Sequence, residues 1–115
     1  MDNKKVFFIS GVAGFLGSHL ADKLIELNHK VIGCDNLIGG YEDNIPDKVE
    51  FHNFDCNNFE QMSLIMKNVD TVYHCAATAY EGLSVFSPHI ITQNIITAST
   101  GIITASISNN VKRFI

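Results

Sequence analysis

The feature that most constrains this chain is the run from Lys4 to Gly17, in which the apolar stretch Val6-Phe7-Phe8-Ile9-Ser10 breaks into Gly11, Gly14 and Gly17 before a helix opens. Glycine accepts the positive φ that a tight turn demands, so a strand can end abruptly at Gly11. Without side chains near Gly14, backbone N–H groups can approach an anion at the positive end of the following helix. Gly17 lets that helix lie close against the strand. The run therefore reads as a cradle for a phosphate group. Taken bare, the same glycines are as compatible with a structural turn.

The downstream sequence separates these readings. Leu16, Leu20, Leu24 and Leu27 recur at helical spacing, and Lys30-Val31-Ile32-Gly33-Cys34-Asp35 reads as a second buried strand ending in an acid. Strand, glycine turn, helix and a strand with a terminal acid about twenty positions on make up the dinucleotide fingerprint. Asp35 can accept hydrogen bonds from both hydroxyls of an adenosine ribose and would repel a 2′-phosphate, which favours NAD over NADP. The alternative is that Asp35 opens the polar loop Asp35-Asn36-Leu37-Ile38-Gly39-Gly40. The next cation in sequence is Lys48, too remote to receive a 2′-phosphate by spacing.

A third strand is expected over Val49–Phe54, a helix over Phe59–Lys67 after the loop Asp55-Cys56-Asn57-Asn58, and a fourth strand over Thr71–Ala77. Residues 78–86 read as loop. Ser87-Pro88 starts a helix with a hydroxyl cap and proline in its first turn, and the helix runs from His89 to about Asn110. Its Ile and Thr content suits strands, but its length between two strands suits the crossover that parallel pairing requires. Val111–Ile115 is the fifth strand. The expected fold is α/β, a Rossmann-like doubly wound parallel sheet of order 3-2-1-4-5, with ligands bound where strand order reverses between strands 1 and 4.

With 115 residues the chain reads as one domain, and 8 basic against 12 acidic residues give a net charge of −4 that disfavours nucleic acid. No uninterrupted apolar run approaches a membrane span and no leader pattern is visible, so a cytoplasmic protein without a membrane partner is expected. Cys34, Cys56 and Cys75 lack C-x-x-C spacing, and the histidines are scattered, so neither a disulfide framework nor a metal site is expected.

These residues resemble the extended short-chain dehydrogenase/reductase family, specifically its NAD-dependent nucleotide-sugar epimerases and dehydratases. The resemblance rests on Gly11-Val12-Ala13-Gly14-Phe15-Leu16-Gly17, Asp35-Asn36-Leu37, Asp55, His74-Cys75-Ala76-Ala77 and Asn94. It implies that Gly11, Gly14, Phe15, Leu16 and Gly17 line a pyrophosphate, Asp35 and Asn36 hold the adenosine ribose, Asp55 and Cys56 lie beside adenine, and Ala76, Ala77 and Thr78 face the nicotinamide. Asp55 has an alternative role as a helix cap. His74 reads as a packed strand histidine rather than a catalyst, and Tyr80 as a residue either near a sugar or over the core.

The family's proton chemistry uses a tyrosine followed four residues later by lysine, with a nearby serine or threonine. Here Tyr41, Tyr73 and Tyr80 are followed at that spacing by Ile45, Ala77 and Ser84. The expectation is therefore the NAD-binding amino-terminal portion of such an enzyme over residues 1–115, with no catalytic residue and with the substrate region absent. A stand-alone nucleotide-binding or assembly module is the alternative. The free edge of the fifth strand and the Ile-rich helix lead to an expected homo-oligomer.

Overall fold

In the computed structural model, which describes residues 3–78 and 81–115, five strands are joined by helices except between the second and third, where only a 3-10 turn at Glu42–Asn44 intervenes. The elements are β1 (Val6–Ser10), α1 (Phe15–Glu26), β2 (Lys30–Asp35), β3 (Glu50–Asn53), α2 (Phe59–Ile65), β4 (Thr71–His74), α3 (Glu81–Phe86), α4 (Pro88–Ser108) and β5 (Arg113–Phe114). Every pairing is parallel and the sheet order is β3-β2-β1-β4-β5, the doubly wound order expected.

Central β1 explains why its apolar residues run continuously rather than alternating. Phe8 packs on one face with Met62, Met66, Val72 and Ile102, while Phe7 and Ile9 pack on the other with Val12, Ala21, Leu24 and Val31. A parallel sheet covered by helices on both faces buries both sets. Each large side chain so buried contributes about 1.5–3 kcal/mol. Phe7 pairs in register with both Val31 and Thr71, so β1 aligns the ends of its neighbours.

The leucine stripe of α1 does not match its inward face. Gly17, Ser18, Ala21 and Leu24 are buried, whereas Leu16 and Leu27 are 65% and 55% exposed. Gly17 must approach the Gly11 carbonyl so closely that no Cβ fits, and this contact sets the rotation of the helix. Small residues therefore turn inward and Leu16 outward.

Several boundaries differ from expectation. The ends of the expected β3 and β4 leave the ladder, β5 is two residues long, and residues 81–86 form α3 rather than loop. Ser87 precedes α4 without a side-chain capping bond. α4 contains a π turn at Gln93–Thr97 and ends at Ser108, where Asn109 is the C-cap. It carries no Asp, Glu, Lys or Arg and is long and apolar enough, by length and composition, to cross a membrane. The expectation concerned an unbroken apolar run, and Thr, Ser, Gln and Asn do interrupt this helix; its isoleucines nevertheless keep mean hydropathy high along its length. In this fold Ala98, Ile102 and Ala105 are buried, and the helix crosses from β4 to β5.

Candidate functional site

The carboxyl ends of β1, β2, β3 and β4 surround a cleft of about 270 Å³. Gly11 and Gly14 enter from the glycine turn, Asp35 and Asn36 from the end of β2, Asp55 and Cys56 from beyond β3, and Ala76, Ala77 and Thr78 from beyond β4. These expected site residues, distant in sequence, share one wall because parallel pairing brings the strand ends to the same edge.

At the glycine turn, Gly11 has φ +74°, and a Cβ there would sit 2.9 Å from the Ala76 backbone nitrogen. Its N–H and that of Val12 both donate to the Cys34 carbonyl, at 2.9 and 3.2 Å. Gly14 is the N-cap of α1 and offers no side-chain acceptor. The first bond of the helix runs from Ser18 N–H to the Gly14 carbonyl at 3.0 Å. The amides of Phe15, Leu16 and Gly17 thus precede any acceptor within the helix, the usual condition of a helix start that binds an anion. The side chains of Phe15 and Leu16 are themselves 82% and 65% exposed and do not line the cleft. Gly17 is buried beneath it. What these three positions offer is backbone.

Asp35 is both loop former and cleft residue. Its Oδ2 accepts the Ala13 N–H at 3.0 Å and its Oδ1 accepts the Leu37 N–H at 2.8 Å, in a turn that holds Leu37 at φ +64°. The carboxylate therefore straps the end of β2 to the glycine turn. Each carboxylate oxygen retains a lone pair for a further donor. Asn36 is exposed, and its Oδ1 accepts the Ile38 N–H at 3.2 Å.

On the opposite side, Asp55 Oδ1 accepts both the backbone N–H and the Nδ2 of Asn57, at 2.8 and 3.0 Å. Asp55 is not the cap of α2; Asn58 is, accepting from Gln61 N–H. Asn57 Nδ2 reaches Asn94 Oδ1 at 3.4 Å, and Asn94 Nδ2 donates to Thr78 Oγ1 at 3.0 Å. A polar chain therefore links β3's end, α4 and β4's end. Asn57 Oδ1 is buried without a hydrogen-bond partner among the described residues.

Sequence reasoning missed Ile38, Gly39, Gly40, Asn57, Cys75 and Ala98 in the cleft lining. The glycine pair was a usable signal: a Cβ on Gly40 would lie 2.6 Å from the Ala13 carbonyl oxygen, so the loop folds down over the glycine turn. Ala98 follows Asn94 by one helical turn, a second usable signal. Cys56 Sγ lies 3.9 Å from Cys34 Sγ, and the hydrogen bond between them, followed by burial, pushes the Cys34 thiol well above its ordinary value. Burial raises Cys75. Tyr80 lies outside the described residues, so its expected position is not tested.

Residues 7–115 match the family model described as the NAD dependent epimerase/dehydratase family. A protein of Methanocaldococcus jannaschii assigned as a UDP-glucose 4-epimerase is 43% identical over 84 residues, covering 72% of this chain and 28% of the relative. A UDP-glucose 4-epimerase of Thermotoga maritima, solved with UDP-glucose, superposes with a TM-score of 0.92 and 34% identity over 95% of this chain and 36% of that one. The Thermus thermophilus UDP-glucose 4-epimerase, solved with NAD, gives a TM-score of 0.89 and 26% identity over 95% and 36%. The chain thus spans 28% to 36% of the length of these proteins. With the glycine turn, the strand-end acid and the sheet order in agreement with this match, the chain belongs to the NAD-dependent epimerase/dehydratase family.

Proposed function

We propose that these residues bind NAD and form the cofactor half of a nucleotide-sugar epimerase or dehydratase site. The observation that carries this reading is the Asp35 carboxylate held against Ala13 N–H, which sets a ribose acceptor in fixed register beside the glycine turn. The residues fit the cofactor: Gly11 and Gly14 line the cleft without side chains, the first amides of α1 precede any acceptor within the helix, and Asn57 Oδ1 is a buried acceptor with no partner among the described residues. The α1 amides would hold pyrophosphate, Asp35 and Asn36 the ribose hydroxyls, Asp55 and Cys56 the adenine edge, and Ala76 to Thr78 the nicotinamide side. NAD, when bound, supplies the hydride-accepting chemistry; the protein supplies orientation and electrostatics.

The substrate class is a nucleoside diphosphate sugar, supported by the UDP-sugar enzymes among the relatives. No tyrosine among these 115 residues is followed four positions later by lysine, so proton transfer is assigned to none of them. Titration calorimetry with NAD and NADP tests the reading. NAD binding with NADP at least tenfold weaker supports it; equal affinity, or no binding by a folded chain, overturns it.

We also propose that the outer face of α4 joins copies of the chain. Ile96, Ile103 and Ile107 are 60%, 41% and 73% exposed on a helix without Asp, Glu, Lys or Arg. Light scattering should report a dimer or larger, and Ile107→Glu should shift it to monomer. A monodisperse wild-type monomer at high concentration overturns this.

A further inference from the structure

We propose that His74 is a positioning residue for the cofactor wall: held as the neutral Nε2–H tautomer between Ser10 and Ser99, it fixes the Ala76 backbone, and its protonation releases that segment. Its bearing on NAD rests on the reading above; its bearing on Ala76 does not.

The proton placement follows from the partners. Ser10 is fully buried at the end of β1, and its Oγ accepts the Ala76 N–H at 3.2 Å while lying 2.6 Å from His74 Nδ1. On the other side of the ring, Nε2 lies 2.9 Å from Ser99 Oγ, whose own proton is donated to the Ile95 carbonyl. Ser99 therefore has only its oxygen to offer, and Nε2 must carry hydrogen. Nδ1 is then bare and accepts the Ser10 hydroxyl. Each donor and acceptor is used once: Ala76 N–H to Ser10, Ser10 O–H to Nδ1, Nε2–H to Ser99, Ser99 O–H to Ile95. In the other tautomer, Nδ1–H and Ala76 N–H would converge on one buried oxygen whose own proton had lost its acceptor. An unsatisfied buried hydroxyl is costly, so that form is disfavoured.

The same reasoning applies to the imidazolium, which carries hydrogen on both nitrogens. The groups that meet His74 are Ser10 from β1, Ser99 from α4, and from β5 the Phe114 ring, at a centroid distance of 6.2 Å, with the Ile115 carbonyl accepting His74 N–H at 2.8 Å. Of its neighbours along the chain, Tyr73 on the same strand stacks on Phe7, and Cys75, just beyond the strand, is a neutral thiol raised by burial. None of these partners is charged, so nothing offsets desolvation, and burial pulls the imidazole below its ordinary value. When the ring does charge, Nδ1–H and Ala76 N–H both point at the Ser10 oxygen and the buried Ser10 proton loses its acceptor, which weakens the hold of Ser10 on Ala76. Gly11 packs directly on Ala76, and Ala76 lines the cleft, so the rearrangement reaches the cofactor wall. The chain also ends at Ile95 in the π turn that presents Asn94 to Thr78, so one histidine ties β1, β4 and α4 around the cleft.

Four readings on the full chain test this. Long-range ¹H–¹⁵N correlation should find His74 protonated on Nε2 above pH 7; an Nδ1–H tautomer overturns the proposal. The Ala76 amide signal should titrate with the His74 ring as pH falls. In His74→Asn, whose amide oxygen can still accept from Ser10 but cannot titrate, the signal should stay flat. Ser10→Ala should lose about fivefold or more of the hydrogen-exchange protection at Ala76, the effect of one lost hydrogen bond. An Ala76 signal unmoved through the His74 titration overturns the proposal even if a variant fails to fold, because it needs only wild-type protein. Wild-type NAD affinity should weaken several-fold across the same titration and not in His74→Asn. An intact Ala76 titration with no NAD binding at any pH strikes the NAD reading alone; NAD binding with an unresponsive Ala76 strikes this inference alone.

Discussion

Replacing Asp35 by alanine separates its two roles. The substitution leaves two amides without their acceptors, Ala13 N–H at 3.0 Å and Leu37 N–H at 2.8 Å. Ala13 is fully buried, so water cannot replace the carboxylate there and the loss is close to the desolvation cost of an amide, about 1–3 kcal/mol. Leu37 is half-buried, its amide can be rehydrated, and the loss is about 1 kcal/mol or less. Against this, Leu37 is freed from its left-handed conformation, which returns about 1 kcal/mol. The net destabilisation is about 2 kcal/mol, or about 10 °C in Tm for a domain of this size. Asp35→Asn keeps one acceptor oxygen and should lose roughly half as much. Binding responds separately: losing a bidentate contact to two ribose hydroxyls should raise the NAD dissociation constant about a hundredfold or more, at about 1.5–3 kcal/mol per charge-assisted bond. Thermal melts without ligand and calorimetric titration measure the two effects independently. A variant that melts within about 1 °C of wild type would refute the strap between β2 and the glycine turn, whereas unchanged NAD affinity would refute the ribose assignment.

Other perturbations probe the rest of the molecule. Gly11→Ala forces a left-handed φ on alanine and drives a Cβ to 2.9 Å from the Ala76 backbone, so about 3 kcal/mol of stability should disappear, read from the urea midpoint. Ile102→Ala, fully buried between the sheet and α2, should cost about 2–5 kcal/mol by cavity formation while leaving the cleft unaltered, checked by denaturation and NAD titration together. Because folding lowers the His74 pKa, the unfolded chain binds more protons below the ordinary imidazole value of 6.5, and stability should decline as pH falls from there to the folded-state pKa. Glu50, lowered by its hydrogen bond from His52, adds a slope of the same sign at lower pH: its small, half-exposed stabilisation is present above 4.5 and lost as pH falls through the folded-state pKa. Denaturation at pH 7.5 and 5.5 should therefore show the His74 slope in wild type and its absence in His74→Asn.

The candidate site was legible where the chemistry is local. Gly11, Gly14 and Gly17 announce themselves because only glycine fits those backbone approaches, and Asp35 because it ends an apolar strand before a turn. Asn57 was not legible as a cleft residue: nothing in Asp55-Cys56-Asn57-Asn58 tells which member caps α2 and which turns toward Asn94, since both asparagines and the aspartate are competent caps. The structure assigns the cap to Asn58 and leaves Asp55 to hold Asn57. In α1 only the middle of the leucine series faces inward: Leu24 is buried and Leu20 packs on the core, whereas Leu16 and Leu27 are exposed, because closeness to the Gly11 carbonyl sets the helix's rotation.

The sequence by itself determined the alternation of strands and helices, the parallel order β3-β2-β1-β4-β5 and the edge at which a ligand enters. These follow from the period of apolar residues, the placement of glycine and the handedness of crossovers, all properties of short segments. Tertiary structure alone decided that Asp35 grips Ala13, that Asn57 and Asn94 bridge the cleft, and that His74 is clasped between Ser10 and Ser99. Those contacts join residues 22 to 64 positions apart, and their geometry exists only once the sheet has set its strands side by side.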